Sequence, residues 1–112
     1  MSLSGDKIFV TNFFHDKVLT LAREGTVLHT FTDLDLERPR GIHVIAQGQV
    51  LVCGYGSNTI IQLDGQGTKK LATIATRRDR FIHPHSVCYN MSTSSIIVGQ
   101  THYGNIHVFK VK

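Results

Sequence analysis

The chain repeats itself. Residues 8–21 align without a gap to 50–63 and again to 96–109, at offsets of 42 and 46. Two further elements recur between these segments. Gly25-Thr26 returns as Gly67-Thr68, 42 residues on, and Pro39-Arg40-Gly41-Ile42-His43-Val44 returns as Pro84-His85-Ser86-Val87-Cys88-Tyr89 at an offset of 45. The unequal offsets assign the extra residues to the loop 76–83. A module that recurs at this length cannot hide its apolar faces alone and must stack on copies of itself.

Each module reads as strand. Short runs rich in Val, Ile and Leu are bounded by turn residues: Asp16, Gly25, Gly48, Gly56-Ser57-Asn58, Asp64-Gly65 and Gly104-Asn105. Helical spacing is never sustained over the length that a helix needs. Four strands per module are expected. Strand a covers 41–45 and 86–89, and strand b covers 7–11, 49–53 and 95–99. Strand c covers 17–21, 59–63 and 105–109, and strand d covers 27–31 and 70–74.

Four antiparallel strands in about 42–46 residues is the arithmetic of a β-propeller blade. The expected architecture is all-β, a single domain over 1–112 holding about two and a half four-stranded antiparallel blades, with units near 5–37, 38–80 and 81–112. The strand order is then b-c-d, a-b-c-d, a-b-c. Such a stack leaves apolar blade faces open at both ends. The reading favours further blades from a longer parent chain. A ring of identical copies is harder to close, because strand c followed by strand b skips both d and a.

The residues resemble the NHL repeat. That unit runs Pro-x-Gly-Ile-x-Val, then Gly-x-Ile-x-Val, an Asn or His turn, and an apolar run ending in Asp-x-x-Gly. Here Pro39-Arg40-Gly41-Ile42-His43-Val44, Gly48-Gln49-Val50-Leu51-Val52 and Asn58-Thr59-Ile60-Ile61-Gln62-Leu63-Asp64-Gly65-Gln66-Gly67 follow it in order. NHL units often carry Asp just after strand b, where this chain has Thr11, Cys53 and Gly99. The sequence looks particularly like the C-terminal propellers of invertebrate tripartite-motif proteins. That resemblance implies the substrate-recognition part of a ubiquitin ligase. The ligase activity would reside in a zinc-binding RING domain outside this chain, since two cysteines cannot build one.

Composition narrows the function. No stretch reaches the eighteen or so apolar residues of a membrane span, and the N-terminus lacks the apolar core of a signal peptide. Cys53 and Cys88 lie in apolar runs and read as two buried free thiols in a reducing compartment, so a cytoplasmic location is expected. A net charge of +4 favours acidic partners weakly and does not by itself indicate nucleic acid.

Antiparallel order puts the d-to-a and b-to-c loops on one face. One junction supplies Arg38 and Arg40, and the next supplies Arg77, Arg78, Arg80, Phe81, His83 and His85. The b-to-c loops add Phe13, Phe14, His15, Tyr55, His102 and Tyr103. Guanidinium beside aromatic groups suits the anchors of a protein interface, and it also suits phosphate gripping and base stacking on single-stranded RNA. Asp16, Asp33, Asp35, Glu37 and Asp79 share the face and bring it close to neutral, which ranks a protein partner ahead of RNA. A solvated loop with local salt bridges is the plain alternative for the arginines.

No catalytic constellation emerges, and no cofactor or metal is expected. His83-Pro84-His85, with His102 and His107, invites a zinc reading, since a zinc-dependent peptide-amidating lyase also uses an NHL-like propeller. Zinc wants three or four converging ligands, and Arg40 occupies the place equivalent to His85 one blade earlier. Gly54-Tyr55-Gly56 is too short for a dinucleotide fingerprint.

Overall fold

Runs of β-branched and large apolar residues become eleven strands in the computed structural model, which describes residues 2–4, 7–45, 49–76, 84–90, 95–100 and 106–110. They are β1 (Ser2–Ser4), β2 (Lys7–Asn12), β3 (Lys17–Ala22), β4 (Val27–Phe31), β5 (Pro39–Val44), β6 (Val50–Gly54), β7 (Thr59–Leu63), β8 (Lys70–Ala75), β9 (Pro84–Asn90), β10 (Ser95–Gln100) and β11 (Ile106–Lys110). One 3-10 turn, Phe13–His15, interrupts them.

The strands form three antiparallel meanders in chain order, β1-β2-β3-β4, β5-β6-β7-β8 and β9-β10-β11. The all-β, four-strand antiparallel architecture is the expected one. β1 is an addition to the ten expected strands. It pairs with β2 through Ser2↔Phe9, Leu3↔Ile8 and Ser4↔Lys7. Three residues without the Pro-x-Gly-Ile pattern leave no periodic signal, so only the pairing reveals it. The described order is therefore a-b-c-d, a-b-c-d, a-b-c.

Successive sheets stack at their inner strands: β1 and β2 lie against β5, and β5 and β6 against β9. Alternation along β6 sends neighbouring side chains to opposite faces. Val50 and Val52 join Phe9, Val18, Phe31, Leu36, Ile61 and Leu63 in a core between the first two sheets. Leu51 and Cys53 join Ile60, Val87, Ile96 and Val98 in a second core, between sheets two and three. All five residues of β6 are buried. A strand covered on both faces is apolar throughout rather than alternating, which is how 50–53 reads in the sequence.

The end sheets are covered on one face only among the described residues. In the first, Ile8 pairs with Leu21 and Val10 with Leu19, opposite the face of Phe9 and Val18. Those four side chains are half-buried, where their counterparts in the middle sheet are fully covered. In the third sheet Ile97 pairs with Cys88 on the outward face. Cys88 is consequently exposed, which corrects the expectation of two buried thiols; Cys53 is buried, and both are free. Among the described residues no further blade covers Cys88, and sequence pattern alone does not distinguish the two faces of an apolar strand.

Candidate binding face

Three loops meet at one end of the first two sheets: the β2–β3 turn, the β4–β5 connection and the β6–β7 turn. Each carries a residue in the left-handed region, with φ of 55° at Asp16, 49° at Arg38 and 56° at Asn58. Asp and Asn tolerate that conformation because their short side chains bond locally, whereas Arg does not have that help. Arg38 is held there by its surroundings. Asp16 Oδ1 accepts its amide at 2.7 Å, and its carbonyl accepts the Tyr55 amide at 3.1 Å. The Glu37 carbonyl accepts the Gly56 amide at 2.9 Å, and the Glu37 amide donates to Ser57 Oγ at 3.1 Å. Thr59 Oγ1 donates to the Asp35 carbonyl at 2.8 Å. The connection is thereby stitched to the neighbouring blade along most of its length.

This scaffold gathers Arg38 and Arg40 with Phe13, Phe14 and Tyr55. The Arg38 and Arg40 guanidinium carbons lie 6.0 and 5.7 Å from the Phe13 ring centroid. Arg40 also lies 5.2 Å from the Tyr55 centroid. Phe13 meets Phe14 edge to face at 5.1 Å and Tyr55 at 5.8 Å. Guanidinium over an aromatic face is attracted by the ring quadrupole, and the contact leaves the N–H edges of the planar group available to donate. Thr11, Phe13, Phe14, Pro39 and Arg40 line a cavity of about 580 Å³ at this place. The sequence pattern did not point to Thr11 and Pro39 as wall residues. Thr11 Oγ1 donates to the Arg40 carbonyl at 2.8 Å, tying the wall across the blade junction.

The acids are arranged differently from the near-neutral mixture the sequence suggested. Lys70 Nζ lies 3.3 Å from Asp33 Oδ1 and 3.2 Å from Asp35 Oδ2. The Asp35 amide, at 2.9 Å, and Lys70 together hold the Asp33 carboxyl below the usual aspartate range. The same contacts, Asp35 foremost, push the Lys70 ammonium up. Among the described residues these are the ion pairs, so neither Arg38 nor Arg40 has a carboxylate partner there. A second cavity of about 540 Å³ adjoins, lined by His15, Asp16, Thr32, Asp33, Leu34, Leu36 and Glu37. Asp33 and Asp35 are thus taken up by Lys70, while Asp16 bonds the Arg38 backbone and leaves its guanidinium outside any ion pair among the described residues.

Of the expected site residues, Phe13, Phe14, Tyr55, Arg38 and Arg40 come together. Arg77, Arg78, Arg80, His83 and Tyr103 lie outside the described residues, and so does the side chain of His85, whose backbone sits in β9. The zinc reading rested on His83, His85, His102 and His107, none of whose side chains is described. Among the described residues no three His, Cys, Asp or Glu side chains converge as a metal site, and no helix is long and apolar enough to cross a membrane.

No protein family and no curated protein matches the sequence. Solved structures do match. A chain of the nidogen/laminin complex is 19% identical with a TM-score of 0.76, over 98% of this chain and 47% of that one. A streptogramin B lyase is 17% identical with a TM-score of 0.67, over 98% of this chain and 39% of that one. Virginiamycin B lyase from Staphylococcus aureus, in its catalytically inactive H270A form with quinupristin, is 17% identical with a TM-score of 0.61, over 96% of this chain and 39% of that one. These likenesses show the β-propeller-like fold. The chain spans less than half the length of each of these structures.

Proposed function

We propose that the chain is a non-catalytic binding scaffold, a propeller segment whose loop face holds a protein partner. The observation that carries this is the pair of guanidiniums held against Phe13 and Tyr55, neither of them in an ion pair among the described residues. Arg and Tyr are the side chains that most often anchor interfaces. A propeller of similar fold occurs in a protein–protein assembly, the nidogen/laminin complex. The finer reading is an NHL-type propeller acting in the cytoplasm as the recognition part of a tripartite-motif ubiquitin ligase. Its remaining blades and the RING domain would come from a longer parent chain. Arg77, Arg78, Arg80, His83, His85 and Tyr103 would extend the same face along the next blade junction.

Single-stranded RNA is the second reading, favoured by Phe14, a residue 87% exposed whose aromatic ring suits base stacking. Selection of a displayed random-peptide library against the wild-type chain, with Arg40→Glu for counter-selection, tests the assignment. Peptides that bind wild type and lose Arg40→Glu support it. Binding of a single-stranded RNA pool in preference to any peptide contradicts it.

A further inference from the structure

We infer that the cavity walled by Arg40, with Arg38 on the other flank of Phe13, takes a short acidic peptide segment, a carboxylate side chain with an apolar side chain next to it. This rests on the protein-binding reading above and names the chemistry of the partner. Both guanidiniums sit around one ring, 6.0 and 5.7 Å from the Phe13 centroid, and their fork edges match carboxylate oxygens bidentately. Contact with the ring favours rotamers that already face it, so less freedom is lost on binding. The cavity beside them, about 580 Å³, is walled by Phe13, Phe14 and Pro39 as well as by Arg40. That apolar wall, continued by the exposed Phe14 ring, suits a Leu, Ile or Phe adjacent to the acid.

The adjoining ground decides between a single acid and a polyanion. A nucleic-acid backbone carries a charge at every step and wants a continuous positive track. Here the next cavity along the described surface is lined by Asp16, Asp33 and Glu37. A second or third phosphate would meet the Asp16 and Glu37 carboxylates, which unlike Asp33 have no lysine beside them in an ion pair among the described residues. A peptide acid places its charge at the arginines and leaves neutral backbone over the acidic neighbour.

The test is fluorescence anisotropy with defined probes on the full chain. One labelled peptide carries Glu and Asp flanked by Leu and Phe, a second has Gln and Asn in their places, and the third probe is an oligouridine. The acidic peptide is expected to bind at least about tenfold tighter than its amide counterpart, as charge-assisted bonds require. That binding should weaken as salt rises and be lost in Arg40→Glu. Arg40→Gln, a milder change at an exposed position, should lose about the same preference if the glutamate variant folds poorly, with circular dichroism checking both. Equal binding of the two peptides, still dependent on Arg40, overturns the acidic preference and leaves the protein-binding reading standing. Arg40-dependent binding of oligouridine alone overturns both. No binding of any probe overturns the inference.

Discussion

Gly67 packs so closely on the preceding blade that a Cβ there would overlap Thr20 Oγ1 and lie 3.2 Å from Phe9 Cε1, and its φ is +71°. Its repeat equivalent, Gly25, has a φ of +99° but nothing within 4 Å of where a Cβ would stand, because no blade precedes it among the described residues. The same motif therefore has one role in Gly25, turn geometry, and two in Gly67, turn geometry and close packing. Gly67→Ala should destabilise the chain by roughly 2–4 kcal/mol, combining overpacking with left-handed strain. Gly25→Ala should cost only about 1–2 kcal/mol. Urea denaturation of the two variants gives the comparison; equal losses would contradict the stacking.

Asp16 supports the arginine face through the Arg38 amide, at 2.7 Å. Asp16→Ala removes that acceptor and puts a side chain without local bonding at a φ of 55°. The expected loss is about 1–2 kcal/mol. Asp16→Asn keeps both an acceptor and a tolerance for the conformation, and should stay close to wild type. Near-ultraviolet circular dichroism of the Phe13, Phe14 and Tyr55 cluster should change with Asp16→Ala and not with Asp16→Asn.

Much of this was legible in the sequence, and the exceptions have physical reasons. The repeat carried the strands because each apolar run is fixed by local pattern and turn chemistry. Phe13, Phe14, Tyr55, Arg38 and Arg40 could be grouped because antiparallel order alone puts their loops at one end. The pairing of Asp33 and Asp35 with Lys70 could not be read, since it joins residues 37 and 35 positions apart through side-chain geometry. β1 was invisible because three residues hold no period, and the exposure of Cys88 because it depends on which face lacks a neighbour.

The two thiols should separate cleanly in reactivity. Burial pushes the Cys53 thiol far up, beyond a weaker opposing bond to the Gly41 backbone, and the side chain is fully enclosed. Cys88 is exposed. A thiol reagent in native buffer should modify Cys88 within minutes and Cys53 only on unfolding. Mass spectrometry of digested, labelled protein reads the order; early labelling of Cys53 would contradict the second core.

Stability should fall at both ends of the pH scale through named groups. The Asp64 carboxyl is held below the usual aspartate range: burial works against this, but the Thr68 amide and hydroxyl, each at 2.8 Å, and the Lys69 amide outweigh it. Asp33 is likewise lowered. Folding favours both ionised forms, a contribution complete above the unfolded value near pH 4 and lost as pH falls through the folded values. Lys70 is raised, so its contribution is complete below about pH 10 and lost as pH rises through the folded value. Asp64→Asn should make the acid arm of a denaturation-midpoint profile shallower and leave the alkaline arm unchanged. An unaltered acid arm would remove the Asp64 turn from the account.

Amide hydrogen exchange, followed strand by strand, is the most direct measure of whether the blades stack radially. Strands covered on both faces open only when the stack opens, so β6 and β7 should exchange slowest, ahead of β2 and β3 on one side and β10 and β11 on the other. Faster exchange in β6 and β7 than in either end sheet, or uniform exchange across all three, would contradict it.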